Sequence, residues 1–222
     1  MFHANISRLE RQPKNAPLAL GGNSKRIFDI LISAAVLGLF TPILLIVAVL
    51  VKLSDPGPVI FRHMRVGHGG RRFHCLKFRS MVSNSDEVLR ELLACDPGAR
   101  QEWERSQKLA NDPRITPVGK FLRQTSLDEL PQLINVIRGE MSLVGPRPII
   151  PGELRRYGDK LGLYLQSRPG ITGLWQVNGR STCAYQERIE MDAHYVRNWS
   201  FSRDFVILLR TLAVVLARRG SY

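Results

Sequence analysis

A run of 22 residues, 30–51, carries no charge, and it constrains this chain more than any other feature. Lys25 and Arg26 stand ahead of it and Lys52 behind it. A helix of that length matches a hydrocarbon core of about 30 Å. Pro42 lies near its middle, where it removes one intrahelical hydrogen bond and bends the helix. Thr41, just before it, can bond a backbone carbonyl freed at the break. Two arrangements follow from these residues. One is a span with a mild kink. The other is a helix that enters, bends at Thr41-Pro42 and leaves by the same face. Basic residues at both ends give the positive-inside rule no direction, so both arrangements stay open on the residues alone.

The rest of the chain reads as a mostly helical α+β domain. Residues 1–24 are polar, with Pro13, Pro17, Gly21 and Gly22, and show no apolar period; they read as a flexible arm without the core of a secretory signal. Asp55-Pro56-Gly57-Pro58 stops the apolar helix. Residues 59–65 and 71–78 read as a small β-hairpin about Gly67-His68-Gly69-Gly70. Residues 83–93 form a predicted helix. A turn at Asp96-Pro97-Gly98 leads to a second polar helix ending near Leu109. Thr116 and Pro117 cap and open a short helix to Arg123. Another helix covers 128–137 and closes at Gly139. Val144-Gly145-Pro146-Arg147-Pro148 and Arg168-Pro169-Gly170 read as rigid loops, and 186–199 as a helix. Residues 205–217 are apolar apart from Arg210 and Thr211 and are too short to cross a bilayer; they suit a helix lying at the membrane interface, with a buried core helix as the alternative. The division expected is an arm over 1–24, a membrane helix over 25–53 and a catalytic domain over 54–222.

Charge narrows the partners. With 32 Lys and Arg against 19 Asp and Glu, the net charge is +13. That favours nucleic acid, an anionic lipid surface or a phosphorylated substrate. The apolar run argues against a nucleic-acid-binding module; a membrane-anchored scaffold without activity is the other rival. Cys75, Cys95 and Cys183 make no C-x-x-C pair and fit no disulfide framework. His63, His68, His74 and His194 lack metal-ligand spacing.

The chemistry concentrates around Asp128 and Glu129. Pro131 prefers a first helical turn, and Ser126 with Glu129 matches a capping box, so a helix starts near Leu127 or Asp128. Both carboxylates then sit at the positive end of that helix, which also attracts phosphate. A carboxylate so placed can attack phosphorus. Its neighbour can hold Mg²⁺ through one oxygen while water and substrate phosphate fill the remaining positions. Alone, such an acidic pair is fully explained by capping; the surrounding cations point further. Lys77 and Arg79 alternate with apolar residues on a predicted strand. Arg123 precedes the pair, Arg147 is held between prolines, and Arg168 and Arg180 flank a glycine-rich loop. A diphosphate needs several fixed cations of this kind. Arg71, Arg72, Arg155 and Arg156 read as surface charges. Asp192 is either a further acidic group near the metal or the partner of Arg188 at i,i+4.

With these residues in place, the sequence resembles the bacterial sugar transferase family, the monotopic polyprenyl-phosphate phosphoglycosyl transferases. The likeness runs from Lys25-Arg26-Ile27-Phe28-Asp29 through the proline-centred apolar run and Leu76-Lys77-Phe78-Arg79-Ser80-Met81. It continues in Ser126-Leu127-Asp128-Glu129-Leu130-Pro131-Gln132, in Gly139-Glu140-Met141-Ser142-Leu143-Val144-Gly145-Pro146-Arg147-Pro148, and in Arg168-Pro169-Gly170-Ile171-Thr172-Gly173-Leu174-Trp175-Gln176-Val177-Asn178-Gly179-Arg180. The resemblance implies a re-entrant helix, with Thr41 where many relatives have serine, and a catalytic domain on the cytoplasmic face of the bacterial inner membrane among its lipids. It implies Asp128 as the nucleophile that takes up a phosphosugar and releases UMP, Glu129 as the Mg²⁺-associated carboxylate, and active-site roles for Lys77, Arg123, Arg147 and Asp192. The expected substrates are a UDP-sugar and undecaprenyl phosphate, and a second copy of the chain is a candidate partner. The 24 polar residues ahead of the apolar run set an expectation that the chain lies outside the branch with four extra membrane spans. The carboxyl-terminal Arg218-Arg219-Gly220-Ser221-Tyr222 is similar to enzymes that begin succinoglycan-type exopolysaccharide with galactose-1-phosphate; glucose-1-phosphate and N-acetylhexosamine-1-phosphate are the competing sugars.

Overall fold

The structure is a computed structural model that describes residues 18–178 and 184–216. Its first element, α1 (Gly22–Ser54), is 33 residues long and remains helical through Pro42. At 1.5 Å per residue it is roughly 50 Å long. Leu31, Leu39, Leu45, Ile46 and Leu53 are each more than 60% exposed, or 60% in the case of Ile46. Water would penalise that surface and hydrocarbon would not. The arm expected over 1–24 ends early. Ala19 is buried, the Leu20 N–H donates to the Gln166 carbonyl at 2.9 Å, and α1 already starts at Gly22. Residues 1–17 lie outside the described part.

The chain packs as two compact units. Among the described residues, the first unit comprises 18–39, 62–76, 131–178 and 184–216. The amino-terminal half of α1 is anchored here by polar bonds. Lys25 Nζ meets Asp204 Oδ2 at 2.5 Å. Asp29 Oδ2 accepts the Ser142 hydroxyl at 2.7 Å. Arg26 donates to the carbonyls of Val136 and Ile137, the last of these at 2.7 Å, where α5 (Gln132–Arg138) ends. A cation there satisfies carbonyls that the helix itself leaves open.

The same unit contains a short parallel pair, β3 (Ser142–Val144) and β4 (Gly170–Thr172), with Ser142 opposite Gly170 and Val144 opposite Thr172. The sequence presents these segments as two independent rigid loops; the structure zips them together. Glycine is what lets them meet. A Cβ on Gly145 would stand 2.4 Å from the Arg168 carbonyl oxygen, and one on Gly170 would stand 2.1 Å from the Gly145 nitrogen. The unit continues with a 3₁₀ stretch over Pro151–Lys160, α6 (Leu161–Leu165), α7 (Leu174–Asn178) and α8 (Tyr185–Arg197). It closes with α9 (Phe201–Leu216). One core joins Val66, Ile149, Tyr157, Tyr164 and Ile189; another joins Phe73, Cys75, Val136 and Met141. On α9, Asp204 and Ile207 are buried, while Phe205, Val206, Leu209 and Leu212 are exposed. An interfacial helix has that division between faces.

The second unit comprises 40–61 and 77–130. Val47 and Val51 of α1 form its core with Phe78 and Leu122. The expected hairpin, whose residues 62–76 belong to the first unit, is present: β1 (Ile60–Val66) pairs with β2 (Arg72–Phe78), and the connection contains a 3₁₀ turn at His68–Gly70. Two polar helices follow, α2 (Ser85–Cys95) and α3 (Pro97–Ser106). The turn expected at Asp96-Pro97-Gly98 is in fact a helix start. Asp96 Oδ1 accepts the N–H groups of Gly98 and Ala99 at 2.8 and 3.0 Å, and Pro97 holds the first helical position. The same logic opens α4 (Pro117–Thr125) as expected, with Thr116 Oγ1 accepting the Gly119 N–H at 2.9 Å.

Candidate active site

The dyad is built by the way α4 ends. Ser126 adopts a left-handed conformation, φ 58°, ψ 16°, and its N–H returns to the carbonyls of Leu122 and Arg123. A non-glycine residue there is uncommon and mildly strained. Ser126 therefore terminates one helix and makes no side-chain cap for the next. That corrects the capping-box reading. Leu127–Glu129 form a 3₁₀ turn, and the following helix α5 begins only at Gln132. Leu127 packs against the apolar core of the unit. Its burial draws Asp128 inward, to 8% exposure, while Glu129 keeps a side chain 37% exposed.

Lys77, from the end of β2, faces both carboxylates. Its Nζ lies 2.5 Å from Glu129 Oε1 and 3.9 Å from Asp128 Oδ2. Burial pushes the Asp128 carboxyl up to about 6; Lys77 pulls it down, Glu129 pushes it up, and Arg123 pulls it down. Arg123 is fixed by its own Nε, which donates to the Ser80 hydroxyl at 2.9 Å. Asp128, Glu129, Lys77 and Arg123 are thus brought together in one unit.

Arg79 has a different place from the one the strand alternation predicts. Its guanidinium donates to Asp55 Oδ2 at 2.6 Å, to the Asp55 carbonyl at 2.5 Å and to the Pro56 carbonyl at 3.2 Å. These bonds hold the chain where it leaves α1. Arg79, expected as a phosphate ligand, is engaged here as a structural clamp. Asp55, which the sequence offers only as a helix stop, is its partner.

The remaining predicted residues belong to the other unit. Arg147 lies over the Trp175 ring, 5.3 Å from its centroid, and Arg188 lies over the same ring at 5.2 Å. Asp192, 2% exposed, accepts the Tyr157 hydroxyl at 2.8 Å and the Arg147 backbone N–H, and faces Arg188 Nε at 3.9 Å. Burial pushes it up to about 6, against Tyr157, Arg188 and Arg147. Arg65 donates to the Pro148 carbonyl at 3.1 Å and faces Glu153 at 4.0 Å. Arg168 donates through Nε to the Gly139 carbonyl at 3.0 Å, which fixes a loop. Arg180 and the carboxyl-terminal residues 218–222 lie outside the described residues. Tyr157, Trp175 and Arg188 were not among the expected site residues. Arg188 had one signal, its i,i+4 spacing to Asp192. Tyr157 had none, because it sits in a polar stretch.

Among the described residues no three His, Cys, Asp or Glu side chains gather into a metal cluster. Mg²⁺ does not require one, since it keeps several waters and takes one or two carboxylates with substrate phosphate. Glu129, partly exposed beside Asp128, fits that chemistry. Asp192 does not, because its carboxyl is closed off and already accepts neutral donors.

Comparison with known proteins identifies relatives over most of the chain. A family model described as bacterial sugar transferase matches residues 21–218. The chain is 50% identical, over 95% of its own length and 93% of the relative's, to the exopolysaccharide production protein ExoY of Sinorhizobium fredii. It is 55% identical to the undecaprenyl-phosphate galactose phosphotransferase of Salmonella typhimurium, over 89% of this chain and 41% of that protein. A UDP-glucose:undecaprenyl-phosphate glucose-1-phosphate transferase of Caulobacter vibrioides is 39% identical, over 89% and 72% of the two chains.

Proposed function

Because the chain belongs to the bacterial sugar transferase family, we propose that it moves a hexose 1-phosphate from a UDP-hexose onto undecaprenyl phosphate and releases UMP. The observation that carries this reading is the buried Asp128 carboxyl, 3.9 Å from the Lys77 ammonium and next to Glu129.

An Asp128 oxygen attacks the phosphorus that bears the sugar. An Asp–phosphorus bond forms, the bond from that phosphorus to the bridging oxygen breaks, and the electron pair leaves with UMP. An oxygen of undecaprenyl phosphate then attacks the same phosphorus. The Asp128 bond breaks, the carboxylate is restored, and the lipid carries a diphosphate-linked hexose. Lys77 offsets the negative charge that gathers as the nucleophile approaches an already anionic diphosphate. Arg123, held by Ser80, adds a second fixed cation on the Asp128 side. Glu129 would hold Mg²⁺, which would supply further charge neutralisation for the diphosphate. Burial of Asp128 keeps its carboxylate poorly hydrated and hence more reactive toward phosphorus.

The apolar exposed surfaces of α1 and α9 support a location at a lipid bilayer, where the proposed acceptor resides. Membership of this family favours re-entry from the cytoplasmic face of the inner membrane, an arrangement that the basic residues at both ends of α1 and Pro42 between them allow. Galactose is the favoured sugar, on 55% identity to a protein named for galactose against 39% to one named for glucose. The two hexoses differ at one hydroxyl, so a single side chain could reverse this preference.

The test is to mix the enzyme with UDP-galactose labelled in the sugar and no lipid acceptor. One equivalent of UMP should appear, with the label covalently on Asp128; undecaprenyl phosphate should then remove it. UMP release that depends on the acceptor from the first turnover, with no labelled protein, would rule out the covalent route.

A further inference from the structure

Four consecutive residues, Lys77 to Ser80, each hold a different part of the unit that contains the dyad. Lys77 meets both dyad carboxylates. Phe78 packs in the core with Val47 and Val51 of α1. Arg79 fastens the chain at Asp55 and Pro56, just past the end of α1. Ser80 holds Arg123. The Arg79 guanidinium is only 8% exposed as a residue, and its bonds are spent within the protein. Asp55 is tied on both sides: its Oδ2 also accepts the Ser83 N–H at 3.0 Å. The backbone makes room for the clamp at Gly57, where φ is 141° and a Cβ would stand 2.5 Å from Arg79 Nη1. Finally, the Arg79 N–H donates to the Val59 carbonyl at 2.9 Å, so the strand register continues to this point.

We infer that the Arg79–Asp55 pair is a positioning brace, which fixes Lys77 against Asp128 and Glu129 by locking the end of β2 to the exit turn of α1. The inference rests on the phosphosugar-transfer reading above. Lys77 is two residues from the brace and half-exposed, with a long flexible stem. Its strand must be immobile for its ammonium to stay on the dyad. A charged, buried pair with two additional carbonyl bonds supplies that rigidity. Displacement of a catalytic group by about 1 Å costs on the order of 10²-fold in rate. A brace that acts through Lys77, with its own polar groups bonded inside the protein, therefore alters turnover without altering how tightly the UDP-sugar binds.

The experiment uses the full-length protein in nanodiscs with UDP-galactose, undecaprenyl phosphate and Mg²⁺, and measures UMP. The variants are Asp55→Asn, Arg79→Met and the double Asp55→Asn/Arg79→Met. The double variant leaves no lone buried charge and so protects against simple failure to fold. Each should lower kcat by about 10²-fold with KM for UDP-galactose within about 3-fold of wild type. The double variant should lose no more than the worse single one, because both act through one interaction. Asp55→Asn at wild-type turnover, or a KM raised about 10-fold by Arg79→Met alone, would instead make Arg79 a substrate ligand and overturn the brace. A second readout needs no turnover: the rate at which an amine-reactive reagent labels Lys77, read by mass spectrometry. It should rise several-fold in the double variant while Lys120 is unchanged. If wild type released no UMP from any UDP-hexose, the functional reading would fall, and unchanged Lys77 labelling would still refute the brace by itself.

Discussion

Asp128 and Asp192 are both buried, both are pushed up to about 6, and in both burial is the first cause. Their surroundings differ. Asp192 already accepts a tyrosine hydroxyl at 2.8 Å and a backbone N–H, and the cation it faces at 3.9 Å is the buried Arg188 guanidinium. Asp128 faces a lysine ammonium beyond hydrogen-bond reach, at 3.9 Å, on a side chain 32% exposed, and a second carboxylate next to it pushes its pKa upward. A perturbed pKa marks a carboxyl as unusual but does not say what it is for. The partners do. Direct hydrogen bonds and a buried guanidinium in a closed site hold a carboxylate as an anchor for the elements around it. A cation that makes no direct hydrogen bond to it and an adjacent like charge leave the other carboxylate's oxygens open, as the proposed attack on phosphorus requires.

The sharpest way to break this contrast is to remove each carboxyl in turn. Asp128→Asn should lower UMP release by about 10⁴-fold or more, as loss of a nucleophile does. Asp192→Asn keeps the shape and one acceptor oxygen, and should cost about 10-fold or less in the correctly folded fraction. Equal losses at the two positions, measured as kcat on protein of matched thermal stability, would end the distinction.

The next effect is on pH. On the proposed route only the ionised Asp128 attacks, so single-turnover UMP release should rise about tenfold per pH unit below 6 and level off above it. Lys77 is the largest influence holding Asp128 down. Lys77→Met should therefore move the bend to higher pH as well as reduce the plateau. Tyr157→Phe, which removes the donor to Asp192, should leave the bend where it is. A bend that follows Tyr157 and ignores Lys77 would exchange the roles of the two aspartates.

Much of this site was legible in the chain because local rules decide it. The cap at Thr116, the stop at Gly139 and the hairpin about Gly67 to Gly70 depend on residue types within a few positions. Asp128, Glu129, Lys77 and Arg123, which the sequence offers as one candidate group, also meet in the structure. What could not be read was set by contacts distant in sequence. Arg79 alternates with Lys77 as a second phosphate ligand would, yet its partner lies 24 residues earlier. Ser126 and Glu129 have capping-box spacing, but the preceding helix needs a left-handed terminator and uses Ser126 for it. The loops at Val144 and Gly170 look separate until their glycines allow them to pair. In each case a side chain or glycine had two competing uses, and only packing chose between them.

Stability gives the smallest and most discriminating difference. A carboxyl whose pKa is raised on folding stabilises the fold fully below its unfolded value, near 3.8, and loses that contribution as pH rises through about 6. At pH 7 wild type therefore carries the cost of keeping Asp128 charged in a dry site. Asp128→Asn removes that cost. It should be more stable than wild type at pH 7 by on the order of 1–3 kcal/mol, with the advantage vanishing below about pH 4. Asp192 has the same shift, but its replacement also weakens the acceptor for Tyr157, for the Arg147 N–H and for Arg188. Those losses, about 1 kcal/mol or more for each bond left unmade, offset the relief, so Asp192→Asn should gain nothing at pH 7. Thermal unfolding of both variants at pH 4 and pH 7 without Mg²⁺ separates the two cases. A stabilised Asp192→Asn beside a destabilised Asp128→Asn would mean that Asp192 is the strained carboxyl held ready for chemistry, and that Asp128 is the anchor.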